Sequence, residues 1–126
     1  MPTLPWTARN TPPTRAEAIV FASRFETRTL WGALKFLLRT PTVWRQVSRA
    51  PGGYGATLKA APLKRTFWTL SAWESADALK TFAASTPHGP VADGLRTQML
   101  SFAHRTWRTT TDELPVDWKD AMRRFE

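Results

Sequence analysis

"TFWTLSAWESADALKTFAASTPHGP", residues 66–90, is the stretch on which the reading of this chain turns. Its first eight residues alternate. Trp68, Leu70 and Ala72 fall on one side and Phe67, Thr69, Ser71 and Trp73 on the other, which is the period of a strand. Ser75 then stands as the N-cap of a helix over "ADALKTFAAS", with Leu79, Phe82 and Ala83 on a narrow apolar face. "STPHGP" breaks that helix and carries His88, one of two histidines in the chain.

Upstream, "EAIVFASRFETRT" alternates in the same way, with Ile19, Phe21, Ser23 and Phe25 on one face and Val20, Ala22, Arg24 and Glu26 on the other. "LWGALKFLLRTPTVWRQVSRA" follows, its Leu30, Leu34, Leu37 and Leu38 at helical spacing. Pro41 cannot donate to a helical ladder, so two helical pieces are expected, the second capped by Thr40 and carrying Val43, Trp44 and Val47. "PGGYG" stops the helix and opens a strand through "YGATLKA", and "APLK" turns it back into the strand at 66–73. Beyond the break, Pro90 can start a short helix with Val91, Leu95 and Met99 on one side. "SFAHRTWRT" has strand composition, and "PVDWKDAMRRF" closes the chain as a helix striped by Trp118, Ala121, Met122 and Phe125.

The order strand, helix, strand, strand, helix, strand is the split βαβ, ferredoxin-like arrangement of the α+β class: a four-stranded antiparallel sheet with helices on one face. Residues 1–14, with four prolines, read as an extended N-terminal arm, and 15–126 as a single α+β barrel domain with a C-terminal helix. In a chain of 126 residues no further layer is left for the second sheet face, so a homodimer with a barrel between two facing sheets is expected.

Composition narrows the class. Hydrophobic residues make up 42%, with seven Trp and seven Phe, which argues for a packed core. No cysteine is present, so disulfides, thiolate nucleophiles and cysteine zinc sites are excluded. The N-terminus lacks a basic segment followed by an apolar run, and no stretch is long enough to span a bilayer, so a cytoplasmic protein is expected. The formal charge of +8 is concentrated: residues 27–73 hold eight basic side chains and no acidic one. Such a field can draw nucleic acid or an anionic membrane, though a solvated helix face accounts for it equally well. No P-loop, dinucleotide fingerprint, hydrolase triad or metal-ligand spacing is present.

With these elements in hand, "TFWTLSAWESADALKTFAASTPH" resembles the third strand and second helix of the dimeric α+β barrel superfamily, where a strand ending in tryptophan enters a "W-x-S" helix start and a histidine follows. It is similar to the antibiotic-biosynthesis-monooxygenase type, nearest the spheroidene-monooxygenase-like branch. The resemblance implies a monooxygenase-like enzyme acting on a small apolar or aromatic molecule in a pocket of each protomer, with haem as one possible cofactor and none as the other. Cofactor-free members pair a polar amide with tryptophan and histidine; here the only asparagine is Asn10, in the arm.

Candidate site residues follow. His88 stands where haem-binding members place an axial histidine, and equally suits a helix-end cap. His104 shares a strand face with Phe102, Thr106 and Arg108 and is the second imidazole available for catalysis. Arg65 can meet a carboxylate or haem propionate. Phe67, Trp68, Leu70 and Trp73 are the pocket-wall candidates, and alternation leaves open which of the two sets lines it. The rival function is a non-catalytic module whose basic helix, with Trp31 and Trp44 among Lys35, Arg39, Arg45 and Arg49, engages an anionic membrane or nucleic acid.

Overall fold

A computed structural model describes residues 3–7, 12–49, 51–84 and 99–125. Five strands form one antiparallel sheet: β1 (Thr3–Thr7), β2 (Glu17–Thr27), β3 (Gly53–Ala61), β4 (Thr66–Trp73) and β5 (Met99–Thr110), in the order β1-β3-β4-β2-β5. The four strands β3-β4-β2-β5 are the split βαβ core expected from the sequence. The fifth comes from the arm, whose Thr3–Thr7 segment pairs with β3 at the sheet edge. Its Trp6 indole lies over Gly55, where φ is +145° and a Cβ would run into the ring.

Helix α1 (Leu30–Arg49) connects β2 to β3, and α2 (Ala76–Ala84) follows β4. Both start on hydroxyl caps: Thr29 Oγ1 accepts from Gly32 N at 2.9 Å, and Ser75 Oγ accepts from Ala78 N at 3.1 Å. The expected division at Pro41 does not occur. One helix runs through the proline, and Thr40 is no N-cap but donates back to the Phe36 carbonyl at 2.8 Å. The helix expected after Pro90, like His88, lies outside the described residues.

Register sorts the side chains into two faces. Phe25, Phe67 and Ala60 stand opposite one another and pack against Ala33, Phe36 and Leu37 of α1. Trp73, on the same face, packs on Phe82 of α2 with ring centroids 5.0 Å apart. Val20, Ala22 and Leu70 point to the opposite face, where α3 (Trp118–Arg123) buries Ala121 against them, flanked by Trp107, Trp118 and Phe125. Asp117 caps α3 by accepting from Lys119 N at 3.1 Å.

Burial along β2 therefore changes phase. Ala18, Val20 and Ala22 are buried in its first half, Ser23, Phe25 and Thr27 in its second, because α3 roofs one end of one face and α1 the other end of the other. The second sheet face, expected from the chain's length to be left without a layer, carries one of its own. This chain lays α3 on that face, and Trp6 packs with Ala18, Tyr54 and Ala72 beside it.

The apolar stripe of α1 also departs from expectation. Of Leu30, Leu34, Leu37 and Leu38, only Leu37 packs on the sheet. Ala33 and Phe36 supply the rest of the contact, because the sheet beneath is filled by phenylalanines and leaves space for a small residue.

Candidate functional site

The sheet face beneath α1 and α2 carries a row of hydroxyls between aromatic walls. Across the sheet, His104, Ser23 and Thr69 stand in one rung, and Thr106, Phe21 and Ser71 in the next. Ser23 and Thr69 share a hydrogen bond of 2.5 Å between their hydroxyls, and Trp73 Nε1 donates to Ser71 Oγ at 2.8 Å. Each arrangement leaves one hydroxyl proton to donate: that of Ser71, and that of whichever member of the Ser23–Thr69 pair acts as acceptor.

At one end of the row Phe25, Phe36 and Phe67 form an aromatic cluster with centroids 4.4 to 5.4 Å apart. At the other end Trp73 and Phe82 close it. Phe21 and Phe102 flank the His104 imidazole, each with its centroid 5.9 Å away. Hydroxyl donors within apolar walls can orient an oxygen-bearing aromatic molecule while its rings stack on the phenyl and indole faces. Among the described residues no carboxylate belongs to these rungs.

The sequence candidates are thus divided. Phe67 and Trp73 line this face, whereas Trp68 and Leu70 lie on the opposite one, Leu70 beneath α3. His104 is on the site face at the edge strand, exposed on its outer side. Arg65 is elsewhere: it sits in a left-handed turn with φ 57°, and its guanidinium donates to the Arg28 carbonyl at 2.9 Å. His88 lies outside the described residues. Of the two residues expected to hold haem, Arg65 alone is described, and it faces the start of α1. Ser23, Thr69 and Ser71 were not among the site candidates, although the alternation that placed Thr69 and Ser71 beside Trp73 was the available signal.

A depression lies between β5 and α3, away from the hydroxyl row, lined by Trp107, Arg108, Glu113, Asp120 and Arg124 among others. Its cations are already engaged. Arg108 reaches Glu17 at 3.4 Å, while Arg124 contacts Asp120 at 3.3 Å and lies 4.1 Å from the Trp107 ring centroid. The hydrogen bond from Arg123, reinforced by Arg124, holds the Asp120 carboxyl below its ordinary range. Among the described residues no group of three or more His, Asp or Glu side chains is placed to hold a metal ion, and no helix is long and apolar enough to cross a membrane.

No family model and no curated protein matches the chain in sequence. Solved structures do match its fold. SnoaB from Streptomyces nogalater, a cofactor-independent oxygenase crystallised as a point mutant, superposes with a TM-score of 0.56 at 22% identity, over 78% of this chain and 97% of its own. Rv0793 from Mycobacterium tuberculosis gives 0.63 at 12% identity, covering 79% and 96%. A candidate antibiotic biosynthesis monooxygenase from Caulobacter crescentus gives 0.60 at 15%, covering 76% and 91%. The chain shares the fold of these three proteins. To the four-stranded split βαβ sheet the chain adds the edge strand β1, and it lays α3 on the second sheet face. The spheroidene-monooxygenase-like branch finds no support in these three structures.

Proposed function

We propose that the protein is a monooxygenase-like enzyme that binds a small flat aromatic molecule on the face beneath α1 and α2 and oxidises it without haem. The observation that carries this reading is the hydroxyl row of Ser23, Thr69 and Ser71 set between the Phe25–Phe36–Phe67 cluster and Trp73. The likeness in fold to SnoaB, a cofactor-independent oxygenase, supports the chemistry.

In this reading the substrate is its own reductant. An electron-rich ring methylene reacts with dioxygen, one oxygen atom becomes the new carbonyl, and the other leaves as water with the two methylene hydrogens. The protein's part is to desolvate and orient the ring, to donate hydrogen bonds from Ser71 and the Ser23–Thr69 pair to substrate oxygens, and to receive the first proton. His104, the register partner of Ser23 on β5, takes that proton in this reading. Trp73, held by Ser71, forms the wall.

The test is oxygen uptake by the purified chain with a panel of polycyclic phenols and anthrones, without added cofactor. Uptake lowered at least about tenfold in Ser71→Ala and His104→Ala, with the fold intact, is expected. Turnover that requires haemin and brings a Soret band overturns the cofactor-free reading. Failure of every aromatic probe to bind overturns the site.

A further inference from the structure

We infer that the outer face of α1, with the 3₁₀ turn at Pro62–Lys64, is a docking surface for an anionic lipid bilayer. This inference is independent of the reaction proposed above. Ala33, Phe36 and Leu37 turn one side of α1 to the sheet, and along the border of that side run Leu30, Leu34 and Leu38 at intervals of four residues, with Trp31 beside them. All four point into water, exposed by 59%, 44%, 68% and 62%. Leu63, on the turn packed alongside α1, is 89% exposed. The Arg65 guanidinium ties that turn to the start of α1 through the Arg28 carbonyl at 2.9 Å, which holds Leu63 beside the helix. A soluble protein rarely presents so many large apolar side chains together unless something covers them.

Charge identifies what covers them. Arg28, Arg39 and Lys64 are exposed around the leucines, and Lys35 flanks the stripe on the helix. No acidic residue occurs anywhere between Thr27 and Trp73. A second copy docking by a two-fold axis would set these cations against their own images. Nucleic acid would satisfy the cations and leave the leucines without a partner. An anionic bilayer serves both: leucine and tryptophan enter the acyl boundary, while the arginine and lysine heads reach the lipid phosphates.

The experiment is cosedimentation of the full chain with vesicles of pure phosphatidylcholine and of phosphatidylcholine holding about one-third phosphatidylglycerol. Binding to the anionic vesicles at low salt is expected, weakened about tenfold or more in pure phosphatidylcholine or at about 0.5 M salt. Leu34→Ser/Leu38→Ser and Arg39→Ser/Lys64→Ser should each weaken it by about tenfold or more, with circular dichroism and Tm unchanged. These positions are exposed, so folding is spared. No binding at low salt overturns the inference. So does binding that the leucine pair does not affect, equal binding to duplex DNA, or a solution mass that falls when the leucines are replaced, which would assign the face to a second copy.

Discussion

Removing one partner of the Ser23–Thr69 hydrogen bond should have unequal consequences depending on which hydroxyl is lost. Ser23 is 4% exposed, on the interior strand β2, and in Thr69→Val its hydroxyl faces a methyl group where its partner stood. Stranding a buried hydroxyl costs about 1–3 kcal/mol. In a chain of this size that is a fall in Tm of roughly 3–5 °C for each kcal/mol. Thr69 is only half-buried, so in Ser23→Ala its hydroxyl can turn to water, and the loss should stay under about 1 kcal/mol. In Ser23→Ala/Thr69→Val neither hydroxyl is stranded, and the double variant should be more stable than Thr69→Val alone. Denaturant unfolding of the four proteins closes the cycle. Additive losses, or a costlier Ser23→Ala, would refute the claim that these hydroxyls face each other in a sheltered site.

Phe67→Ala should cost about 3–5 kcal/mol, since the ring is fully buried against Phe25 and Phe36; a change under about 1 kcal/mol in urea unfolding would place the core elsewhere. Gly55→Ala should loosen the N-terminal strand by driving a Cβ into the Trp6 indole, seen as faster proteolysis of residues 1–14, and Trp6→Ala in the same chain should remove most of the steric part of the effect. Asp120 has its carboxyl pKa depressed by Arg123 and Arg124, so its contribution to folding is complete above the ordinary carboxylate pKa and is lost as pH falls through its own lower value. Asp120→Asn should therefore be less stable than the parent near neutrality and converge with it in strong acid, read from Tm across a pH series.

Local signals carried the element order because each is written in neighbouring residues. The alternation of residues 66–73 and the Ser75 cap are read directly, and Ser75 does accept from Ala78. Pro41 misled because its cost is local. A proline removes one donor, at about 3 kcal/mol, and packing of Ala33, Phe36 and Leu37 on the sheet holds the helix together around it. The leucine stripe misled for a related reason: helical spacing identifies a face, but not whether that face meets the sheet or the solvent.

The site shows the same division. Sequence alone determined that Phe67, Thr69, Ser71 and Trp73 share one side of a strand and Trp68, Leu70 and Ala72 the other, because the pleat repeats every two residues whatever surrounds it. Only the tertiary structure decided which side became the hydroxyl-lined face beneath α1 and α2 and which received α3. That choice depends on strand order and on where distant helices land. It brought Ser23 to Thr69 across 46 residues of chain, and Phe21 to Ser71 beside them, through pairings that neither strand specifies by itself.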